Sequence, residues 1–411
     1  MKAVMYGAGS IGRGFIAQLF YESGYDTVFI DIDRELIGRI NARGEYPLRF
    51  VDSTGSHEIT VGRMSGICGQ DEEAVAEAIA EADLAATSVG KNALPLIAGN
   101  IAKGIRRRKE IDPDSFLNII VCENMLKANV WLKELVSGHL TEEEIGWMNG
   151  HIGMVETCIG RNVPVMTPDL YGDDPLRVLA EDYTELPVDA KTIRGTLNLK
   201  HVEPEEEFGF YIRQKLFMYN MAHAVIGYTS AMRGMKRLCD AVRIPEIRYL
   251  ALQALTEISM AMADEYGRDL QKLLLYCSGL LYRFGNRQLG IAVPRLCQEP
   301  LRKVSKEDRM TGAACLCAAH GIFPAHICVG IAAGYAYDDP EDAESRKLQA
   351  YIAENGIEKA VETFSELEPG SGLHEKVCSC WRALESKTPL DKVIEEIEEY
   401  AYYRGRKTAG M

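Results

Sequence analysis

The pattern of hydrophobic and polar positions changes about halfway along the chain. Up to about residue 190, short apolar runs alternate with segments in which apolar residues recur every three or four positions. Short runs of this kind are typical of buried strands, and the longer period is typical of amphipathic helices. Four strands are predicted in this way, at 2–6, 26–31, 84–88 and 117–122. Because strands alternate with helices, we predict an α/β domain with a parallel, doubly wound sheet.

Beyond Glu206 the pattern is almost entirely helical, as in Ile247–Tyr266 and Asp269–Phe284. We therefore predict a second, mostly α-helical domain. Two further features interrupt the alternation in the first half. Two β-like runs within 46–62 indicate an inserted β-hairpin, and 192–199 is predicted to be one last strand.

A glycine motif joins the first predicted strand to the first predicted helix. Gly7 allows a tight turn, Gly9 lets a pyrophosphate approach the backbone, and Gly12 permits close packing of helix on strand. The helix amino terminus then offers unpaired N–H groups to the phosphates. Strand, glycines and helix in this order form the dinucleotide fingerprint.

Asp31 ends the second predicted strand, nineteen positions after Gly12. A carboxylate at this place binds the adenosine ribose hydroxyls and repels a 2′-phosphate, so NAD is favoured over NADP as the cofactor. The loops at the carboxyl ends of the strands should surround that cofactor. The predicted cofactor-binding residues are Gly7, Gly9, Ser10, Ile11, Gly12, Asp31, Ser88, Val89 and Gly90. The alternative is a glycine turn in a doubly wound domain without a cofactor. The predicted domains are a Rossmann-like NAD-binding domain at 1–195 and a helical substrate and catalytic domain at 196–411.

Lys215, Asn220 and His223 lie within one predicted helix. At about 100° per residue, Asn220 lies about 140° and His223 about 80° around the axis from Lys215. Apolar neighbours such as Phe217 and Val225 indicate that this helix is largely buried, and buried polar groups need partners. Burial also favours a lysine that acts as a base. The alternative is a core helix with three individually satisfied polar residues.

Asn124 follows the strand predicted at 117–122, which places its amide at the carboxyl edge of the sheet. Together with Asn220 it could donate hydrogen bonds to an alkoxide that forms during hydride transfer. Lys215 would accept the hydroxyl proton, and His223 would hold the same oxygen or orient the substrate. The alternative for Asn124 is the N-cap of a helix beginning near Met125.

Two other groups of side chains have spacings that suggest ligands. Cys315, Cys317, His320, His326 and Cys328 resemble metal ligands, but their spacing fits no zinc pattern, and Gly321 with Pro324 indicates a turn between helices. We therefore predict no metal site. The densest basic group of the helical half is Arg295, Arg302, Lys303 and Arg309. It is either a solvated helix face or a pocket for a phosphate or carboxylate, with Arg295 and Lys303 the first choices.

Composition restricts the classes of partner. The 411 residues, 47% of them hydrophobic and 26% charged, are typical of a globular protein of two domains. The net charge of −14 argues against nucleic acid and anionic membranes. No apolar run is long enough for a membrane span, and we expect no signal peptide because a strand is predicted almost at once. Eleven scattered cysteines indicate buried thiols in a reducing cytoplasm.

These motifs resemble the polyol-specific long-chain dehydrogenase/reductase family along nearly the whole chain. The supporting stretches are Gly7–Phe15, Cys122–Met125, Arg161–Pro164, Lys215–His223, Arg283–Asn286, Pro300–Ser305 and Asp308–Arg309. The resemblance implies that Lys215 is the general base, that Asn124 and Asn220 form the oxyanion hole, and that His223 contacts the substrate without a metal. The chain departs from the family pattern at Gly160, Arg287 and Ile291. We expect these departures to lie where the substrate domain meets the ligand.

The length of the chain is similar to that of the sugar-phosphate branch of this family. We therefore expect an NAD-dependent, metal-independent dehydrogenase acting between a polyol phosphate and a ketose phosphate, with D-mannitol 1-phosphate and D-fructose 6-phosphate as the leading pair. Alternatives are a hexuronate (tagaturonate or fructuronate) reductase, a dehydrogenase of unphosphorylated polyols, and a non-catalytic NAD sensor. The oligomeric state stays open, with a monomer favoured.

Overall fold

The computed structural model describes the backbone of residues 1–408 and the side chains of residues 1–399. The chain divides into two compact units, Met1–Ile212 and Arg213–Met411. The functional boundary at 195/196 stays a prediction. The compact units divide later in the chain because a strand at Val202–Glu205 still pairs within the first unit.

The first unit is built on a six-stranded sheet in which every neighbouring pair is parallel. Its strands, in chain order, are β1 (Lys2–Tyr6), β2 (Asp26–Asp31), β5 (Met64–Cys68), β6 (Leu84–Thr87), β7 (Leu117–Val121) and β8 (Ile152–Glu156), and their spatial order is β5-β2-β1-β6-β7-β8. The other strands of the unit are β3 (Tyr46–Val51), β4 (Ser56–Val61), β9 (Val178–Glu181), β10 (Leu186–Asp189) and β11 (Val202–Glu205).

Helices connect these strands. They are α1 (Ala17–Glu22), α2 (Arg34–Arg43), α3 (Glu72–Glu81), α4 (Leu94–Ile111), α5 (Ala128–Ser137), α6 (Glu142–His151), α7 (Pro168–Tyr171) and α8 (Gly209–Arg213), with a π-helix at Gly12–Ile16 before α1. The sheet order is that of a dinucleotide-binding fold, and it reverses between β1 and β6. Ligands of such sheets bind beyond the carboxyl ends of the strands at that reversal.

The predicted parallel sheet is confirmed, and all four strands predicted from apolar runs are present. Two strands of the same sheet were not predicted. The edge strand β5 is short, contains Gly66 and is only half-buried, so it lacks an apolar run. The strand β8 follows α6 without a turn, so no break in the sequence separates the two.

A smaller sheet carries the hairpin of residues 46–62, in which β3 pairs antiparallel with β4 and parallel with β9. The last strand predicted, at 192–199, is wrong. The side chain of Asn118 occupies the backbone groups of that segment: its Oδ1 accepts from the Arg194 N–H at 2.9 Å, and its Nδ2 donates to the Arg194 carbonyl at 2.8 Å. The next strand is β11, which pairs in parallel with β10, the strand that precedes this segment.

The second unit is mostly helical in the part that the structure describes, as predicted. It begins with a π-helix at Gln214–Asn220. Its α-helices are α9 (Met221–Ala231), α10 (Leu238–Ala241), α11 (Pro245–Tyr266), α12 (Leu270–Phe284), α13 (Val293–Cys297), α14 (Pro300–Lys303), α15 (Thr311–Ala319), α16 (Ala325–Tyr335), α17 (Ala343–Phe364), α18 (Gly372–Glu385) and α19 (Leu390–Thr408). The helices predicted at 247–266 and 269–284 are confirmed as α11 and α12. The carboxylate of Asp269 caps α12 by accepting the N–H groups of Gln271 and Lys272.

Helices α9 and α16 lie at the centre of this unit and are almost wholly buried, which explains their lack of a polar face. The turn predicted at Gly321 and Pro324 separates α15 from α16, with Gly321 at φ +71°. Of the described residues, none belongs to a helix long and apolar enough to cross a membrane.

Candidate functional site

The glycine motif forms a tight loop at the point where the sheet order reverses. Gly7 has φ +102°, and a Cβ there would lie 2.6 Å from the carbonyl oxygen of Ser88. A Cβ on Gly12 would lie 2.0 Å from the Gly7 carbonyl oxygen. Neither position can therefore hold a side chain. Gly9 is exposed, and no atom lies within 4 Å of its Cβ position, so the loop leaves open space where a phosphate approaches the backbone.

The rest of the loop is held by side chains. The Ser10 hydroxyl donates to the Pro164 carbonyl at 3.3 Å, and Ile11 packs partly buried against the core. Asp31, at the carboxyl end of β2, accepts from the Ala8 N–H through Oδ2 at 2.7 Å and from the Asp33 N–H through Oδ1 at 3.0 Å. The carboxylate predicted to bind the ribose is thus fixed beside the glycine loop.

Glu123 is a site residue that the sequence reasoning did not select. Its carboxylate is buried and accepts the backbone N–H groups of Val89 and Gly90 at 2.9 and 2.8 Å. Those N–H groups, in the predicted cofactor loop at 88–90, are therefore engaged by the protein. Glu123, which immediately precedes Asn124, thus joins the loop after β6 to the loop after β7 by hydrogen bonds. In the sequence, this role was indicated only by the presence of an acidic residue next to Asn124 at the end of a strand.

Asn124 lies exposed at the carboxyl edge of the sheet, after β7. It does not cap a helix: α5 begins at Ala128, and its N-cap position is Lys127, which makes no side-chain capping bond. The alternative interpretation of Asn124 as an N-cap is therefore wrong, and its amide remains a candidate donor to a ligand.

The segment that carries Lys215 and Asn220 is a π-helix, Gln214–Asn220. The predicted angle of about 140° assumed an α-helix. In a π-helix the N–H of residue i+5 bonds to the carbonyl of residue i, as the Met221 N–H does to the Leu216 carbonyl. Residues five apart therefore share a face, and Lys215 and Asn220 are five apart. Both side chains are half-buried. Among the described residues neither has a hydrogen-bonding or ionic partner.

His223 is the third residue of α9, the α-helix that continues this segment, and it is 9% exposed. Its ring stacks on Phe284, with centroids 4.1 Å apart, and meets Tyr219 edge-on at 4.5 Å. Its Nε2 is buried without a hydrogen-bonding partner among the described residues. Burial, together with the positive charges of Arg309, Arg283 and Lys303, lowers the pKa of His223 to about 3. The ring is therefore neutral at physiological pH, with one nitrogen available to a ligand.

Two residues of the predicted basic group lie close enough to act on His223: Lys303 and Arg309. Lys303 is 4% exposed, and its Nζ donates to the Leu296 carbonyl at 2.6 Å. Burial and the neighbouring charge of Arg309 lower the pKa of Lys303 to about 8. Arg309 is tied to the Asp308 carboxylate at 2.6 Å. Arg283 is a third cation of this cluster, which the basic group selected from the sequence did not include.

The remaining two members of the basic group, Arg302 and Arg295, do not act on the pKa of His223. Arg302 forms ion pairs with Glu299 at 2.5 Å and with Asp308 at 3.0 Å, and its side chain is half exposed. Arg295 lies exposed on α13. No described residue pairs with Arg295, and its role in substrate binding stays a prediction.

The two histidines of the group at 315–328 have protein partners, and its three cysteines are free thiols. His320 contacts Asp264 and Glu265 at 2.6 and 2.9 Å. His326 contacts Glu257 at 2.7 Å, and Glu257 also accepts the first N–H groups of α16. Within the part of the chain that the structure describes, no group of three or more His, Cys, Asp or Glu side chains is arranged to hold a metal.

One departure from the family pattern, at Gly160, lies within the first unit, and its relation to the ligand stays a prediction. Gly160 precedes Arg161, a residue that is 4% exposed. Arg161 donates to the carbonyls of Tyr183 and Gly14 at 2.5 and 2.9 Å and lies 4.3 Å from the centroid of the Phe15 ring. It is thus a core residue beneath the first helix. Of the other departures, Arg287 is exposed and pairs with Asp240 at 3.4 Å.

Comparisons with known proteins identify the family of this chain. The model of the mannitol dehydrogenase Rossmann domain matches residues 1–201, and that of the mannitol dehydrogenase C-terminal domain matches residues 208–385. Mannitol-1-phosphate 5-dehydrogenase of Brevibacillus brevis is 39% identical, covering 92% of this chain and 96% of the relative. The enzyme of the same name from Caldanaerobacter subterraneus is 35% identical, covering 92% and 97%.

Solved structures show the same fold at lower identity. Pseudomonas fluorescens mannitol 2-dehydrogenase, in a ternary complex with NAD and D-mannitol, superimposes with a TM-score of 0.74 at 14% identity and covers 97% of this chain and 94% of its own. A D-sorbitol dehydrogenase gives 0.79 at 15%, covering 94% and 93%. The family resemblance found in the motifs is confirmed: the chain belongs to the mannitol dehydrogenase family and is an oxidoreductase of that type.

Proposed function

We propose that this protein interconverts D-mannitol 1-phosphate and D-fructose 6-phosphate with NAD as the cofactor and Lys215 as the general base. The observation that carries the choice of a phosphorylated substrate is the cation cluster of Arg283, Lys303 and Arg309 around a neutral His223. In a chain of net charge −14, a phosphate ester needs such a local concentration of positive charge. The relatives named above as mannitol-1-phosphate 5-dehydrogenases support the same substrate pair.

The residues of the first unit fit NAD. Gly7 and Gly12 have no room for a side chain, Gly9 borders open space, and the Asp31 carboxylate is fixed beside them. When bound, NAD supplies the acceptor for the hydride that leaves the alcohol carbon. Asp31 would bind the ribose hydroxyls and repel a 2′-phosphate, which gives the preference for NAD over NADP.

Lys215 handles the proton of the reaction. In the direction of oxidation, its amine accepts the hydroxyl proton while the electron pair of the C–H bond leaves as the hydride. The carbon–oxygen double bond of the ketose forms from the O–H bonding pair. In the direction of reduction, the Lys215 ammonium returns the proton to the alkoxide. The half-buried position and the lack of a described partner leave this nitrogen free for that exchange.

Amide and imidazole groups stabilise the oxygen while it carries negative charge. Asn220 shares a face of the π-helix with Lys215, so its amide can donate to the oxygen from which Lys215 takes the proton. Asn124 is proposed to supply a second donor. The unpartnered Nε2 of His223 is proposed to orient the substrate next to the cations that receive its phosphate. Fixed donors of this kind stabilise developing charge because they need no reorganisation during the reaction.

A panel of substrates tests the proposal. NADH absorbance is followed with fructose 6-phosphate, fructose and tagaturonate, for the wild type and for Lys303→Met and Arg295→Ala. We expect fructose 6-phosphate to be reduced with a kcat/KM at least about a hundredfold above that of fructose. Loss of one contacting cation should raise the KM for fructose 6-phosphate about ten- to a hundredfold and should affect fructose much less. Equal or faster reduction of fructose or tagaturonate by the wild type would replace the phosphate assignment with the polyol or hexuronate alternative.

The alternative function is that of a non-catalytic NAD sensor. Lys215 beside Asn220 on one helical face argues against it, because a sensor has no need of a proton acceptor there. NADH binding without turnover of any ketose, ketose phosphate or keto-uronate would favour the sensor.

A further inference from the structure

Arg13 is a buried cation beneath the glycine loop of the first unit. Arg13 is 8% exposed and lies in the π-helix that begins at Gly12. Its Nε donates to the Ala8 carbonyl at 2.7 Å, and its Nη1 donates to the Leu176 carbonyl at 2.9 Å. The guanidinium therefore holds the backbone of the glycine loop directly.

No carboxylate among the described side chains lies within ion-pair distance of this guanidinium. The nearest acid of the loop, Asp31, uses its two oxygens on the N–H groups of Ala8 and Asp33. A buried charge without an ion-pair partner is unfavourable, and Asp31 and Asp33 offset this one only from a longer distance. The guanidinium remains protonated at neutral pH, because arginine does not lose its proton under these conditions.

A second buried arginine contacts the same segment. Arg161 donates to the Gly14 carbonyl at 2.9 Å and also has no acid within ion-pair distance among the described residues. Two buried guanidinium groups, those of Arg13 and Arg161, thus contact the backbone at or next to the first turn of this helix. A helix amino terminus alone supplies only about half a charge.

We propose that Arg13 is a positioning and electrostatic residue for the cofactor, whose buried charge the pyrophosphate of NAD compensates. The inference rests on the proposed function, since it needs NAD as the ligand. The proposal predicts that the affinity for ligands with a pyrophosphate depends on the charge of Arg13 and that the affinity for ligands without one does not. A purely structural arginine would not cause this difference.

Arg108 provides a matched control in the same unit. It is 9% exposed, and its guanidinium also donates to backbone carbonyls, those of Ala80, Ala82 and Phe116 at 2.6–2.9 Å. Ala82 and Phe116 lie just before β6 and β7, at the amino edge of the sheet, whereas the glycine loop follows β1 at the carboxyl edge. Arg108→Gln should therefore destabilise the unit in a similar way without changing the affinity for the cofactor.

The experiment measures binding of NADH, ADP and adenosine, by calorimetry or by protein fluorescence, to the full chain and to Arg13→Gln, Arg13→Lys and Arg108→Gln. Two charges roughly 10 Å apart at an effective dielectric constant of about 20 correspond to a factor of roughly ten in Kd. We expect Arg13→Gln to weaken NADH and ADP about tenfold and adenosine by less than about twofold. Arg13→Lys, which keeps the charge, should remain within about threefold of the wild type for all three ligands, and Arg108→Gln should bind all three like the wild type.

Unchanged ADP affinity in folded Arg13→Gln overturns the inference, and so does an equal loss for ADP and adenosine, which would mark a collapsed loop. If Arg13→Gln is not recovered folded, Arg13→Lys decides. Its lysine keeps the charge but cannot keep both carbonyl contacts, so a tenfold loss of ADP affinity overturns the inference. A wild type that binds no NADH contradicts the proposed function itself. A wild type that binds NADH and reduces fructose 6-phosphate, with no effect of Arg13, contradicts this inference alone.

Discussion

The affinity for fructose 6-phosphate should fall as pH rises through about 8, because Lys303 then loses its charge. Burial and the charge of Arg309 lower the pKa of Lys303 to about 8, whereas an ordinary lysine titrates near 10.4. A lysine is charged below its pKa, so the cation is present at neutral pH and is lost in the alkaline range. The phosphate ester has its second pKa near 6 and stays a dianion throughout this range.

The magnitude follows from the fraction of Lys303 that is protonated. With a pKa of about 8, about nine-tenths of the free enzyme carries the charge at about pH 7 and about one-tenth at about pH 9. The apparent Kd should therefore rise roughly tenfold over these two pH units, equal to about 1.4 kcal/mol. The rise should level off at ten- to a hundredfold, because a charge-assisted contact contributes about 1.5–3 kcal/mol.

Calorimetric titration of the NAD-loaded enzyme with fructose 6-phosphate measures this binding without turnover, because cofactor and sugar are both in the oxidised form. Lys303→Arg is the matched control, since arginine keeps its charge over the whole range and should give a flat profile between about pH 7 and 9. Lys303→Met should bind weakly at every pH. A Kd that stays constant up to about pH 9 in the wild type would refute the reasoning, and so would an unchanged decline in Lys303→Arg.

Four further predictions concern the remaining groups. Lys215→Ala should lower turnover at least about a hundredfold while NADH still binds; near-normal turnover would remove Lys215 from the mechanism. Asp31→Ala should reduce the preference for NAD over NADP, measured as the ratio of the two kcat/KM values; a wild type that already prefers NADP contradicts the role of Asp31. Glu123→Gln should raise the KM for NADH about fivefold through one lost contact of about 1 kcal/mol to the loop at 88–90, and an unchanged KM speaks against that tie. Exhaustive chelation should leave activity intact, and a stoichiometric metal whose removal abolishes turnover would contradict the proposed mechanism.

The sequence predicted the features whose chemistry is local. The glycines at 7, 9 and 12 and the acid at 31 lie within one βαβ unit, so their spacing alone defines a loop and a strand end. The buried helix around His223 was predicted from its apolar neighbours in the same way. Each of these features depends on residues that are near one another in the chain.

Features that depend on distant partners could not be predicted. Glu123 accepts N–H groups of residues more than thirty positions away. The side chain of Asn118 binds the backbone of Arg194, seventy-six positions away, in the segment that was predicted to be a strand. The π-helix at Gln214–Asn220 has no period in the sequence that distinguishes it from an α-helix. The sequence therefore predicted one broad sector for Lys215, Asn220 and His223, with too wide an angle between Lys215 and Asn220. Arg295 and Lys303 were equal candidates for binding the substrate anion, because the sequence shows that a side chain is charged but not where it points.

The most direct test of the proposed function follows the hydride itself. NADH deuterated at C4 of the nicotinamide, separately on each face, is incubated with fructose 6-phosphate and the wild-type enzyme, and the product is analysed by mass spectrometry and NMR. The proposal predicts mannitol 1-phosphate that carries one deuterium, from one of the two faces only, on the carbon that was the keto carbon of fructose 6-phosphate. Absence of reduction, or a product without deuterium at that carbon, would contradict the proposal.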